Sequence, residues 1–473
     1  MKNVSPYASL SRGSLNLALA ICLYLLVVAT APAANGPLTA ALHAAVAETY
    51  KATEPGAAII VVKDGEVVLR EGAGMANLEM GIAVEPQMVF RIGSVTKQFT
   101  AVSILLLSEQ GKLSLADDIT RFLPDYPTHG VKITIENLLT HTSGIKSYTD
   151  LPEFWKQQRK DLTLPELIGL FKDQPTDFSP GERWHYSNSG YVLLGAIIEK
   201  ASGQSYADFI DQNLFKKVGM AHSRFDRTAE VIAGRVSGYK KTDHGFLNAD
   251  YISMSLPHAA GSLLSTVDDL ALWDAALYTD KLVTQASLQR AWSSFHLNDG
   301  TPTNYGYGWI ISSIEGLSVL SHSGGINGFS SMTVRIADSH VYAAVLTNRD
   351  SGDAKLARKL AVLASGKIWH DPIAITLPVA KLEKLVGVYR LNAADIITVS
   401  VSNGALTADL PRYGKLSLSP VSELEFLVSD DPIARIVFER QTRGAITGLS
   451  IRSGIGPNQR AERVDRVTAP APR

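Results

Sequence analysis

Cysteine is nearly absent from this sequence, because Cys22 is the single cysteine among 473 residues. It lies inside an apolar run near the N-terminus, from Leu15 to Val28. If that run is removed during export, the remaining chain has neither a thiol nor a disulfide, and its stability must come from packing. Cysteine content is therefore compatible with an exported protein but gives no support for one.

An excess of charge of one sign is also absent. The chain has 45 basic and 46 acidic residues, a formal net charge of −1, and no long acidic run. This balance argues against a nucleic-acid-binding protein and against a solvating acidic tail. With 45% hydrophobic and 19% charged residues the composition is typical of a folded soluble protein. The length allows about two to four domains.

Residues 1–34 have the pattern of a secretory signal peptide. Lys2 and Arg12 supply a positive start, the apolar run follows, and residues 31–33 offer small side chains for cleavage. The alternative is an uncleaved N-terminal membrane anchor, but the run is short for a span of about 20 residues. We therefore predict a periplasmic or secreted protein with no stable membrane span after cleavage.

The order of helix and strand patterns predicts an α+β fold in residues 35–368. A β-hairpin turned by Asp64-Gly65 comes early, and three antiparallel strands follow within Leu317–Asp350. The middle is rich in helical patterns, and a helix over Ala354–Ile368 ends this part. Strands at both ends predict one antiparallel sheet flanked by helices, with a helical region inserted between its two halves.

The C-terminal part changes to strand patterns alone. A proline-containing linker spans residues 369–378, short strands fill residues 379–467, and a tail follows at 468–473. The regular spacing is typical of a small antiparallel barrel or sandwich, and the pattern does not choose between the two.

The pattern Ser-x-x-Lys occurs at Ser94–Lys97, Ser143–Lys146 and Ser237–Lys240. Only Ser94 opens a strong amphipathic helical pattern, because a glycine interrupts each of the other two pairs. Positions i and i+3 of a helix share one face, so the Lys97 amine can reach the Ser94 hydroxyl. A helix start adds free N–H groups and a positive partial charge, which favour an alkoxide. The alternative is a plain serine cap with a solvated lysine.

Two further segments supply the partners that a serine nucleophile needs. Tyr186-Ser187-Asn188 lies in a polar loop before a hydrophobic helix, where a phenol can relay a proton and an amide can orient a lysine and a substrate carbonyl. His322-Ser323-Gly324-Gly325 follows a strand pattern, and its glycines allow close approach of a ligand to the backbone. Taken singly, these segments also fit a packed tyrosine, a helix cap and a glycine turn.

The three segments, in this order, resemble the motifs of serine β-lactamases and penicillin-binding proteins, which are Ser-x-x-Lys, Tyr-x-Asn or Ser-x-Asn, and Lys-Thr-Gly. The chain is most similar to the class C β-lactamase-like branch, which includes DD-peptidases, D-aminopeptidases and family VIII-type esterases. Stretches like Leu138–Ile145 and Gly261–Trp273 also occur in that branch. The resemblance covers residues 37–367 and implies a β-lactamase-like fold. The C-terminal part resembles the lipocalin-like barrels that some of these hydrolases carry.

The resemblance also implies roles for the motif residues. Ser94 would be the acylated nucleophile, Lys97 its general base or the organiser of the proton network, and Tyr186 the catalytic phenol. Asn188 would orient the substrate. Backbone N–H groups of Ser94 and Gly325 would hold the oxyanion.

The third motif departs from the family pattern, because His322, Ser323 and Gly324 stand in place of the substrate-binding Lys-Thr-Gly. An unperturbed histidine is mostly neutral at pH 7, whereas lysine is charged. We therefore expect acyl transfer in general more than efficient β-lactamase activity. We also expect activity toward anionic substrates to rise as His322 protonates between pH 5 and 8.

Together these features predict an exported serine hydrolase that forms an acyl-enzyme with esters, D-amino-acid peptides or amides, or β-lactams. Its partner would be a small-molecule or peptide substrate, including cell-wall peptide, and no cofactor or nucleic acid is expected. The 11 histidines include no pair with the spacing of a helical zinc motif, so no metal is expected, and His141 is expected to hydrogen-bond within its loop. Tyr305–Trp309 either lines a pocket or packs before a strand. The alternatives are a non-catalytic penicillin-binding sensor or cell-wall-binding receptor, and a scaffold that acts through its C-terminal domain.

Overall fold

The computed structural model describes residues 36–464 apart from 351, 353, 393–394, 411–413, 429–432, 443 and 453. The predicted signal peptide, Cys22 and the predicted tail lie outside the described residues. In chain order, the strands of the first part are β1 Ala57–Lys63, β2 Glu66–Ala73, β3 Met75–Asn77, β4 Ile82–Ala83, β5 Phe90–Arg91, β6 Arg224–Phe225, β7 Tyr239–Thr242, β8 Gly245–Asn248, β9 Leu263–Ser265, β10 Ile310–Ile314, β11 Leu317–Ile326, β12 Phe329–Ile336 and β13 Val341–Thr347. The strands of the second part are β14 Gly387–Arg390, β15 Ile396–Ser402, β16 Ala405–Leu410, β17 Gly414–Pro420, β18 Glu425–Val428, β19 Arg435–Arg440, β20 Ile446–Arg452 and β21 Gln459–Val464.

The α-helices surround the first group of strands, with one short helix before the second group. They are α1 Pro37–Thr49, α2 Thr96–Glu109, α3 Ile135–Leu139, α4 Pro152–Gln157, α5 Leu164–Gly169, α6 Asn188–Ser202, α7 Tyr206–Ile210, α8 Lys216–Val218, α9 His258–Gly261, α10 Val267–Ala276, α11 Gln285–Ala291, α12 Ala354–Ala364 and α13 Val379–Leu382. No helix in the described part of the chain is both long enough and apolar enough to cross a membrane.

A six-stranded antiparallel sheet joins the two ends of the first part, in the order β10-β11-β12-β13-β1-β2. Strands β1 and β13 pair along their whole length, from Ala57 opposite Thr347 to Lys63 opposite Val341. The β1–β2 turn has positive φ at Asp64 and Gly65, the conformation that a two-residue hairpin prefers. The predicted α+β arrangement is confirmed.

Alternation along the strands divides the core between the two faces of the sheet. On β1, Ala57, Ile59 and Val61 face a core that α1 and α12 cover. Ala58 and Ile60 face the larger core, which contains α2, α6 and α10. Because successive strand residues point to opposite faces, this near-continuous apolar run buries both sides of the sheet.

The C-terminal strands β14 to β21 form a closed barrel in which each strand pairs with its sequence neighbours. The barrel closes where β14 pairs with β21, with Val388 opposite Val464. Tyr389, Phe426 and Phe438 pack at its centre. The second part is therefore a barrel rather than a sandwich, and its up-and-down order is that of small ligand-binding barrels. The predicted linker lies between α12 and α13.

Candidate active site

Ser94 lies where the chain leaves β5 and enters α2. A 3-10 turn spans Gly93–Val95, and α2 begins at Thr96. Ser94 therefore precedes the α-helix, whereas the sequence predicted that it opens the helix. Lys97 is in the first turn of α2, and the buried face of that helix packs into the larger core, which fixes where its start points.

Two glycines allow the serine turn to lie against the backbone of β11. A Cβ atom at Gly93, whose φ is +48°, would stand 2.9 Å from the nitrogen of Gly325. A Cβ atom at Gly324 would stand 2.0 Å from the carbonyl oxygen of Ile92. Side chains at either position would collide with backbone, so this close approach requires glycine. It places the serine turn beside Gly325, the predicted second oxyanion donor.

The Lys97 amine contacts Ser94 and is completely buried. Its Nζ lies 3.1 Å from Ser94 Oγ, 2.9 Å from Asn188 Oδ1 and 2.8 Å from the carbonyl oxygen of Ala260. The side chain has 0% exposure, and burial holds the pKa of Lys97 well below its usual value of 10.5. Burial favours the neutral form of this amine, which has two N–H groups for the oxygens of Asn188 and Ala260 and a lone pair that can accept the Ser94 proton.

Tyr186 and Asn188 come from the loop that leads into α6. Ser187 caps the helix through its hydroxyl, so Asn188 is the first helical residue rather than the last residue of the predicted loop. The Tyr186 phenol hydrogen-bonds with Ser94, and burial raises the pKa of Tyr186 well above its usual value. Its ring centroid lies 4.7 Å from Lys97 Nζ. The structure therefore brings hydroxyl, amine, phenol and amide together as the sequence predicted.

Asn188 is held from three directions. Its Oδ1 accepts from Lys97, its Nδ2 donates to Thr149 Oγ1 at 3.2 Å, and its backbone N–H donates to Ser147 Oγ at 3.1 Å. These bonds fix the amide with its oxygen toward the lysine. Thr149, Ser147 and the carbonyl of Ala260 were not among the residues singled out from the sequence, because such contacts depend on distant segments of the chain.

His322 lies on β11 with only 2% exposure, and both ring nitrogens are occupied. Its Nδ1 lies 2.6 Å from the carbonyl oxygen of Ser323, which can only accept, so Nδ1 carries the proton. Nε2 then accepts from the Tyr305 hydroxyl at 2.9 Å. Burial lowers the pKa of His322 to about 3. The expectation that His322 titrates between pH 5 and 8 is therefore wrong, because it assumed an exposed ring.

His141 supports the tyrosine loop. Its Nδ1 accepts from the backbone N–H of Ser187 at 3.1 Å, and its ring lies 4.3 Å from that of Tyr186. Its backbone oxygen accepts from the N–H of His185 at 2.9 Å. Burial holds the pKa of His141 well below its usual value of 6.5. The predicted bonding of His141 within its own loop thus extends to the loop that carries Tyr186.

The other two Ser-x-x-Lys pairs have different partners. Ser143 Oγ accepts from the backbone N–H of Ile145, and Lys146 forms an ion pair with Asp177. Ser237 Oγ accepts from Asn77 Nδ2, and Lys240 lies near Asp250. Within the described ranges no three histidine, cysteine, aspartate or glutamate side chains are grouped to hold a metal ion.

Comparisons with known proteins identify the family and the fold of this chain. Residues 42–366 match the β-lactamase family. Penicillin-binding protein 4* of Bacillus subtilis (strain 168) is 30% identical over 395 residues, which cover 78% of this chain and 87% of that protein. The structure of an octameric penicillin-binding protein homologue from Pyrococcus abyssi aligns with a TM-score of 0.63 and 26% identity, covering 90% of this chain and 99% of that chain.

A D-stereospecific amidohydrolase from Streptomyces sp. aligns over 68% of this chain and 97% of its own, with a TM-score of 0.57 and 27% identity. The family match spans well over half of the sequence, and the fold agrees with it over the same region. The chain belongs to the β-lactamase and penicillin-binding-protein superfamily of serine hydrolases.

Proposed function

We propose that this protein is an exported hydrolase that forms an acyl-enzyme at Ser94 and acts on esters and on D-amino-acid amides or peptides. The observation that carries the proposal is the 3.1 Å contact between the Ser94 hydroxyl and a completely buried lysine amine. Similarity to a D-stereospecific amidohydrolase and to a penicillin-binding protein supports the substrate class. The signal pattern of residues 1–34 supports export to the periplasm or medium.

Opposite pKa shifts of Lys97 and Tyr186 support Lys97 as the base. Burial favours the neutral amine of Lys97 and the neutral phenol of Tyr186. A neutral amine accepts a proton, whereas a neutral phenol donates one. Lys97 therefore takes the Ser94 proton as Oγ attacks the substrate carbonyl carbon.

Acylation then proceeds through a tetrahedral oxyanion. Backbone N–H groups of Ser94 and Gly325 stabilise that oxygen. When the intermediate collapses, the bond to the leaving group breaks and Tyr186 gives that group its proton, while Lys97 returns a proton to the phenol. Water later attacks the acyl-enzyme carbonyl and loses its proton to Lys97. When this second intermediate collapses, the bond between the carbonyl carbon and Ser94 Oγ breaks, Lys97 returns the proton to Oγ, and the acid is released.

The third motif favours substrates that lack a carboxylate at this position. His322 is neutral and its two nitrogens are engaged by Ser323 and Tyr305, so it does not supply the cation that a family lysine provides. Esterase or amidase activity is therefore favoured over efficient hydrolysis of anionic β-lactams.

The test is turnover combined with intact mass. Purified protein without residues 1–34 is incubated with a p-nitrophenyl ester, a D-amino-acid amide, a fluorescent penicillin and a fluorophosphonate. We expect turnover of the ester or the amide and one fluorophosphonate adduct, both lost in Ser94→Ala. The matched control is Ser237→Ala, a serine of the same sequence pattern whose hydroxyl contacts Asn77 instead of a lysine.

The same measurements separate hydrolase from receptor. A penicillin adduct that persists without turnover of any substrate would replace the hydrolase by the sensor or receptor alternative. If the protein forms no adduct and turns over no substrate, both functions are refuted.

A further inference from the structure

The C-terminal barrel touches the catalytic domain through the loop that joins β20 to β21. The described part of this loop is residues 454–458, and Gly456 is buried in it. The Asn304 Nδ2 donates to the carbonyl oxygen of Gly456 at 3.3 Å. A Cβ atom built on Gly456 would stand 2.5 Å from Trp184 Cε3 and Cζ3. The loop backbone therefore lies directly against the indole ring and against Asn304.

Both contacted residues adjoin aromatic side chains of the candidate active site. Trp184 lies two positions before Tyr186, and its ring centroid is 6.4 Å from that of Tyr186 and 6.1 Å from that of Tyr305. Asn304 directly precedes Tyr305, whose hydroxyl donates to His322. One barrel loop thus contacts the two segments that carry these tyrosines.

We propose that loop 454–458 is a positioning element of the active site, which holds Trp184 and through it the phenol of Tyr186. The barrel then contributes to turnover and is not only an appended domain. This inference rests on the proposed function, because it assigns a role in the same reaction. Gly456 is its central residue, since a φ of +81° and the absent Cβ are both needed for the loop to lie on the indole ring.

The geometry supplies a matched pair of substitutions. Gly456→Ala adds a methyl group against Trp184. Gly404→Ala adds one to the β15–β16 turn of the same barrel, where φ is +77° and no atom lies within 4 Å of the new Cβ. Both variants carry similar backbone strain, but only the first displaces the indole ring. We expect Gly456→Ala to lower kcat for a p-nitrophenyl ester at least fivefold with KM within twofold, because small displacements of catalytic groups have large effects on rate.

A double-mutant cycle tests whether Trp184 transmits the effect. Trp184→Phe removes the indole atoms Cε3 and Cζ3 that the new methyl group would contact. In that background Gly456→Ala should therefore lower kcat less than twofold. If Gly456→Ala lowers kcat equally in the wild type and in Trp184→Phe, transmission through the indole is refuted. Fluorophosphonate labelling of Ser94 and thermal denaturation of every variant show that the site and the fold are retained.

The outcomes distinguish this inference from the proposed function. If the wild type turns over the ester and Gly456→Ala has the same kcat as Gly404→Ala, the positioning role is wrong but the proposed hydrolase activity stands. If the wild type shows neither turnover nor labelling, both are wrong, because the loop would then have no reaction to support.

Discussion

Replacing Lys97 by methionine should change the pH dependence of stability as well as turnover. Methionine matches the length of the lysine stem and fits a buried site, but it carries no proton to release. In the wild type the amine is buried, which lowers its pKa and favours the neutral form, whereas in the unfolded chain it is exposed and protonated up to its usual pKa of 10.5. Folding of the wild type therefore releases a proton that folding of Lys97→Met does not release.

The sign follows from the number of protons bound. Above the lowered folded-state pKa of Lys97 and below 10.5, the unfolded state binds one more proton than the native state, so stability rises with pH. The slope is about 1.36 kcal/mol per pH unit. Where that range overlaps pH 8 to pH 10, the free energy of unfolding of the wild type should therefore rise with pH relative to that of Lys97→Met. Lost hydrogen bonds to Asn188 and Ala260 cost about 1–3 kcal/mol per buried group, but this cost does not vary with pH.

The assay is denaturant unfolding at several pH values, followed by tryptophan fluorescence. All six tryptophans precede residue 370, so none lies in the barrel, and the signal reports the catalytic domain together with Trp369 of the linker and Trp184, which contacts the barrel loop. Lys240→Met, at an exposed lysine of another Ser-x-x-Lys pair, is the control and should show no such gain. If wild type and Lys97→Met keep a constant difference from pH 8 to pH 10, Lys97 is charged in the fold and its assignment as base is refuted. Turnover of Lys97→Met should fall by a factor on the order of 10²–10⁴.

Three further predictions concern the phenol, the third motif and a buried ion pair. Tyr186→Phe should lower kcat/KM on the order of 10²-fold for an amide but much less for a p-nitrophenyl ester, whose leaving group departs without a proton; equal losses would contradict the proton-relay role. Because the pKa of His322 is lowered to about 3, kcat/KM for a carboxylate-bearing substrate should have the same pH profile between pH 5 and 8 in wild type and His322→Gln. An inflection in the wild type alone would mean that His322 does titrate in this range. Arg335→Met should destabilise the catalytic domain by about 3–5 kcal/mol at pH 7, because it leaves the buried Asp274 charge without its partner. Since burial raises the pKa of Asp274 to about 6, that loss should shrink at pH 5, and a denaturation series that shows no shrinkage would refute the explanation.

Local sequence patterns were sufficient to predict the central sheet. The Asp64-Gly65 turn and the apolar runs of β1 and β13 specify strands, and their burial on both faces follows from the absence of alternation. Closure of the C-terminal strands was not predictable, because a barrel and a sandwich need the same alternation along each strand. What decides between them is the pairing of β14 with β21, a contact between the two ends of the domain.

The contact between Ser94 and Lys97 could be predicted because spacing alone determines their proximity. Ser94 and Lys97 are one helical turn apart, so their contact is a local property. The protonation state of His322 cannot be predicted from local sequence, because it depends on burial and on the Tyr305 hydroxyl, which reaches the ring from a loop before β10. Sequence reasoning therefore located the residue correctly and assigned it the wrong titration range.

Burial favours the neutral form of both Lys97 and His322, and both effects bear on substrate choice. It selects one of the three Ser-x-x-Lys pairs, because only the Lys97 amine is withdrawn from water and so favoured in the neutral form that can act as a base. The same withdrawal from water favours the neutral ring of His322, which lies 6.3 Å from the Tyr186 ring, and that ring in turn lies 4.7 Å from Lys97 Nζ. In the proposed mechanism, the desolvation that makes Lys97 a base therefore also removes the cation that would hold a substrate carboxylate, unless a permanently charged group replaces the histidine. Under the proposed function, these two neutral groups leave stabilisation of the oxyanion to backbone N–H donors and favour uncharged esters and amides over anionic β-lactams.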